Sequence, residues 1–187
     1  MQLTLPTTLT LLRIAAIPVF MLVFFLPFSW SGIACAIIFA IAAITDWLDG
    51  YLARKLGQTT PFGAFLDPVA DKLMVGAALV LLVQADPSPL IAIPAIIIIG
   101  REIAISALRE WMAELGQRAN VAVSFIAKVK TTVQMVSLVL LLVRVDVAGF
   151  PVYQVGILLL YIAAGLTLWS MILYLRAAWP SFSTDSD

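Results

Sequence analysis

Four aspartates stand where an apolar chain has least use for charge. Asp46 and Asp49 lie in "AAITDWLDGYLAR" (residues 42–54), and Asp67 and Asp71 in "PFGAFLDPVADKL" (residues 61–73). Spacings of three and four put each pair on one face of a helix. The pairs mirror each other: Asp49 and Asp67 are equidistant from Gln58, and Asp46 and Asp71 nearly so. Four carboxylates at one depth in a membrane are costly unless something neutralises them. Two divalent cations would do so, and all-oxygen ligands favour Mg²⁺, Mn²⁺ or Ca²⁺ over zinc. The sequence contains no histidine, so a general base would also come mostly from the carboxylates.

The elements that must position these acids are membrane helices. Of 187 residues, 63% are hydrophobic and only 12% charged, against about one quarter charged in a soluble domain. The composition predicts an all-α integral membrane protein with one transmembrane domain over residues 1–180 and a polar tail over 181–187. Net charge is zero and points to no acidic partner; no nucleic-acid partner is expected. The single cysteine, Cys35, excludes an internal disulfide. No positive n-region precedes the first apolar run, which reads as a retained helix rather than a signal peptide. A span needs about 20 helical residues. Turn residues divide the chain into six apolar segments near 8–26, 33–56, 62–85, 89–115, 121–144 and 151–178. The first five residues read as a short interfacial piece.

With the N-terminus cytoplasmic, ten of the eleven lysines and arginines fall toward the cytoplasmic half, and Arg144 alone toward the other. That bias orients the protein. Several of these cations lie inside spans, however. At ~1.5 Å per residue, Asp46 sits about 12 Å below Arg54 and Arg101 about 12 Å below Arg109. Arg101, on the fourth segment, and Lys128 and Lys130, on the fifth, therefore lie near the depth of the acids, with Arg109 closer to the interface. An anion such as a phosphate would account for them.

The pattern Asp46-x2-Asp49-Gly50-x2-Ala53-Arg54-x8-Gly63-x3-Asp67-x3-Asp71 resembles, at all eight fixed positions, the signature of the CDP-alcohol phosphatidyltransferase family. "LPTTLTLLRI", "GREIAISALREWMAELG" and "KVKTTVQM" are similar to bacterial members whose acceptor is sn-glycerol 3-phosphate. Many relatives carry asparagine after the early proline, where this chain has Thr7. The resemblance implies transfer of a phosphatidyl group from CDP-diacylglycerol to glycerol 3-phosphate, giving phosphatidylglycerophosphate and CMP. It implies two divalent cations, Mg²⁺ or Mn²⁺, held by Asp46, Asp49 and Asp67 with Asp71 adjoining, and Asp71 as the general base. Thr7, Asp49, Gly50, Ala53, Arg54 and Gly63 would hold the donor, and Arg101, Arg109, Lys128 and Lys130 the acceptor phosphate. It further implies a homodimer in the bacterial inner membrane with the active site facing the cytoplasm.

Plainer readings stand beside these. The aspartates could pair structurally with Lys72 and Arg54. Gly50, Ala53 and Gly63 suit close helix packing. Arg101 and Arg109 could pair with Glu102, Glu110 or Glu114, or snorkel. Arg13, Arg118 and Arg176 read as topology anchors, and Trp47 as facing lipid or a partner helix. A different acceptor, such as serine, inositol phosphate or a phospholipid, would keep the same signature, though buried cations argue against serine. An ion carrier would also bury acids, but such proteins show internal repeats and broken helices, and no repeat appears here.

Overall fold

The computed structural model describes residues 4–56, 60–114, 125–144, 149 and 151–182; within the helices, side chains at 5–6, 50–54, 56, 125–128, 177–178 and 180–182 fall outside the description. Among the described residues the chain is all-helical: α1 (Leu5–Phe24), α2 (Ser31–Leu56), α3 (Pro61–Ala85), α4 (Pro89–Glu114), α5 (Phe125–Val143) and α6 (Val152–Phe182). The six apolar segments are thus six helices, with ends shifted by a few residues. One shift is at the start. The expected interfacial piece is partly taken into α1, because a proline in the first turn after an extended Thr4 costs no hydrogen bond there.

Turn chemistry sets the other boundaries. Thr60 caps α3, its hydroxyl accepting from the Gly63 amide at 3.0 Å, with Pro61 opening the helix. Asp86 closes α3, and Pro89 opens α4. Four helices are long and apolar enough to cross a membrane, through Thr7–Phe24, Ser31–Asp49, Pro89–Glu114 and Val152–Arg176. Of the other two, α3 carries Asp67, Asp71 and Lys72 in its first half, and α5 contributes the apolar stretch Val129–Val143.

Helix α1 packs against α2 and α3, α5 against α6 and α2, and α4 against α6 and, less extensively, α3. The core is aliphatic and aromatic, with Phe20, Phe39, Leu79, Ile98, Leu138 and Leu160 fully buried. Gly32 lets α2 meet α5 backbone to backbone, since a Cβ there would lie 2.8 Å from the Leu142 carbonyl oxygen. The outer surface is apolar too: Leu22, Trp47, Ile96 and Ile103 are exposed. Such a surface is stable in lipid and not in water. The exposure of Trp47 matches its expected outward face.

Candidate active site

The two acid pairs lie toward the facing ends of α2 and α3, and side chains of α1 bond to Asp46, Asp49 and Asp67. Thr7, Thr10 and Arg13 stand at intervals of three along α1, so they line one face; all three are buried. Thr7 bonds to Thr4 at 2.9 Å and to Thr60 at 3.4 Å. Its hydroxyl lies beside Gly63, where a Cβ would come within 3.2 Å of Thr7 Oγ1 and 3.1 Å of Thr60 Oγ1. One turn deeper, Thr10 Oγ1 donates to Asp67 Oδ1 at 2.6 Å. Deeper again, Arg13 spans the first acid pair. Its Nη1 donates to Asp46 Oδ1 at 2.5 Å and its Nη2 to Asp49 Oδ2. The Arg13 side chain is 2% exposed and that of Asp49 1%, while Asp46 keeps 39%.

Arg13 is therefore not the topology anchor expected from its position. Three polar residues repeating every third position in a largely apolar helix were the available signal.

Asp71 stands between this cluster and a second one. It interacts electrostatically with Asp46 and Arg13 on one side and with Glu102 and Lys130 on the other. It also lines a cavity of about 500 Å³ between α3, α4 and α5. The cavity walls are largely apolar, and its polar lining includes Lys72, Glu102, Ser106, Lys130 and Gln134. Lys130 is 5% exposed. Glu102 Oε1 accepts from Lys130 Nζ at 2.9 Å and from Arg101 Nη1 at 2.9 Å. Lys72 Nζ lies 2.5 Å from Ser106 Oγ, which donates to the Glu102 carbonyl at 2.6 Å.

The expected cationic group divides. Lys130 faces the cavity. Arg101 and Arg109 are not among its lining residues and both turn to α6: Arg101 Nη2 donates to Ser170 Oγ at 3.1 Å, and Arg109 Nε to the Tyr174 hydroxyl at 2.9 Å. The Arg109 guanidinium also sits 5.0 Å from the Tyr174 ring centroid. Glu102 is the partner that the plainer reading of Arg101 allowed. The side chains of Gly50, Ala53, Arg54 and Lys128 lie outside the described residues. Lys72 and Ser106 belong to the cavity and were not singled out for it from sequence. The signal for Lys72 was its place directly after Asp71.

The donor chemistry at the hairpin fits a hard divalent cation. Every candidate ligand is a carboxylate, and Asp49 Oδ1 is buried without a hydrogen-bond partner. With Arg13 on Asp46 and Asp49, no three acidic side chains among the described residues are grouped as a ligand cluster.

A membrane helix bundle with an acidic hairpin beside a lysine-lined cavity defines a class. The profile described as CDP-alcohol phosphatidyltransferase matches residues 3–169, and the chain belongs to that family, as the aspartate signature implied. Its relatives narrow the class. A protein of Sodalis glossinidius (strain morsitans) is 59% identical over 180 residues, covering 95% of this chain and 96% of the relative. One of Pseudomonas fluorescens is 58% identical over 181 residues, covering 96% and 92%. One of Yersinia pestis (strain Pestoides F) is 59% identical over 179 residues, covering 96% and 97%. Each is named CDP-diacylglycerol–glycerol-3-phosphate 3-phosphatidyltransferase.

Proposed function

We propose that this protein transfers the phosphatidyl group of CDP-diacylglycerol to sn-glycerol 3-phosphate, giving phosphatidylglycerophosphate and CMP. The observation that carries this reading is the position of Asp71, which borders both the acidic hairpin and the cavity holding Lys130. Relatives of matching length that bear this activity in their names support it.

In this reading the hairpin is the donor side. Asp46, Asp49 and Asp67, with Asp71 adjoining, hold two divalent cations, Mg²⁺ or Mn²⁺. When bound, such ions offset the charge of a diphosphate and stabilise the leaving group. Thr7, Asp49, Gly50, Ala53, Arg54 and Gly63 line the donor; the bare Cα of Gly63 lets the Thr7 and Thr60 hydroxyls close against the start of α3. The cavity is the acceptor side. Lys130, with Lys72, meets the acceptor phosphate, Arg101 acts on it through Glu102, and Arg109 and Lys128 draw the anion in from the membrane surface.

The acceptor hydroxyl gives its proton to Asp71. Its oxygen bonds to the phosphorus that bears diacylglycerol, and the bond from that phosphorus to CMP breaks. Transfer of this kind depends on positioning and electrostatics more than on covalent catalysis.

The enzyme is a single domain over residues 1–180 with a polar tail, and all six helices cross the bacterial inner membrane. Both termini and the active site face the cytoplasm, and the protein is a homodimer. The bias of basic residues supports the orientation. The test is an acceptor panel. Purified protein given CDP-diacylglycerol releases CMP with glycerol 3-phosphate and not with serine, inositol phosphate or phosphatidylglycerol. Release with one of the latter alone refutes the assignment.

A further inference from the structure

The buried Arg13 has a role that neither topology nor substrate binding explains. Its two terminal nitrogens are spent on Asp46 and Asp49, one on each acid. Its Nε and the second oxygen of Asp49 are buried with no hydrogen-bond partner among the described residues. A guanidinium bound at both ends yet short of full hydrogen bonding is held by charge more than by fit. The oxygens it occupies are those that the proposed function gives to divalent cations. Arg13 and the cations cannot both hold them.

We propose that Arg13 is a built-in counter-ion for the acidic hairpin. It holds Asp46 and Asp49 together while the cation sites are empty, and gives up those oxygens when cations load. Without it, the buried Asp49 would face Asp46 and Asp67 with no opposing charge, which is strongly destabilising. With it, the empty protein stays folded, at the cost of weaker cation binding. Arginine suits this task because its wide planar fork offers a separate nitrogen to each carboxylate and stays charged when buried.

The inference rests on the reading of the aspartates as cation ligands, and one experiment separates the two. Mn²⁺ is titrated into purified wild type, Arg13→Gln, Arg13→Lys and Asp49→Asn by calorimetry, with thermal unfolding followed in chelator and in saturating Mn²⁺. Arg13→Gln is expected to unfold earlier than wild type in chelator, yet to bind Mn²⁺ tighter by at least about tenfold. Arg13→Lys falls between them and serves if Arg13→Gln cannot be purified folded. Asp49→Asn loses binding. A purely structural arginine would lower stability and cation affinity together. If wild type binds Mn²⁺ and the folded Arg13 variant binds it equally or more weakly, the counter-ion role is wrong while the cation reading stands. If wild type shows no Mn²⁺ binding that Asp49→Asn removes, both are wrong.

Discussion

Replacing Lys130 with glutamine separates acceptor binding from everything else in the active site. The lysine is buried in the cavity wall, 2.9 Å from Glu102. A charge-assisted contact to the acceptor phosphate contributes about 1.5–3 kcal/mol. Its loss should lower kcat/KM for glycerol 3-phosphate by about ten- to a hundredfold, since about 1.4 kcal/mol corresponds to a factor of ten. A second effect works on the fold, because Glu102 loses one of two cationic partners. Arg101 remains on the same oxygen at 2.9 Å, so the acid is not left unpaired. The stability loss should therefore fall below the 3–5 kcal/mol typical of breaking an isolated buried pair. Arg109→Gln is the control: that residue is exposed and rests on Tyr174, so its effect should be threefold or less, roughly the scale of a surface contact. The assay is CMP release at saturating donor with glycerol 3-phosphate varied. Unchanged acceptor saturation in Lys130→Gln would show that the phosphate binds elsewhere.

Other perturbations test other parts of the site. Asp71→Asn should cut turnover by at least about a hundredfold, the usual scale for a general base, while acceptor binding measured in the same protein persists; unimpaired turnover removes Asp71 from the chemistry. Gly63→Ala puts a methyl about 3.1 Å from Thr60 Oγ1 and 3.2 Å from Thr7 Oγ1. It should raise the KM for CDP-diacylglycerol and leave acceptor saturation alone, which donor titration in mixed micelles would check. A cysteine at Ser186, in a Cys35→Ala background, should react with an impermeant reagent only from the cytoplasmic side. Reaction from outside would mean an odd number of spans or the reverse orientation.

The acid pairs were legible because helical periodicity alone puts residues three or four apart on one face. The helix boundaries were legible from prolines and turn residues such as Pro61 and Asp86; the Thr60 cap was not read from sequence. What periodicity does not carry is which neighbour a face meets when most of the surface is apolar. Arg101 and Arg109 were rightly on one face of α4. That face meets α6 through Ser170 and Tyr174, which spacing along α4 cannot reveal. Arg13 was hidden for a related reason. A lone cation in the N-terminal half of an apolar helix has the pattern of a topology anchor, and only the packing of α1 against α2 and α3 turns it onto Asp46 and Asp49. Lys72 was passed over as a plain counter-charge to the aspartates, whereas its ammonium meets Ser106 on α4.

The central claim is that the acidic hairpin and the lysine-lined cavity act as one transferase site. The most direct measurement follows labelled glycerol 3-phosphate and CDP-diacylglycerol together in purified protein, with chelator and then with Mn²⁺ restored. The account predicts one CMP released for each glycerol 3-phosphate incorporated into lipid, no turnover in chelator, and recovery on adding the ion. CMP release without incorporation of label, or full turnover in chelator, would contradict it.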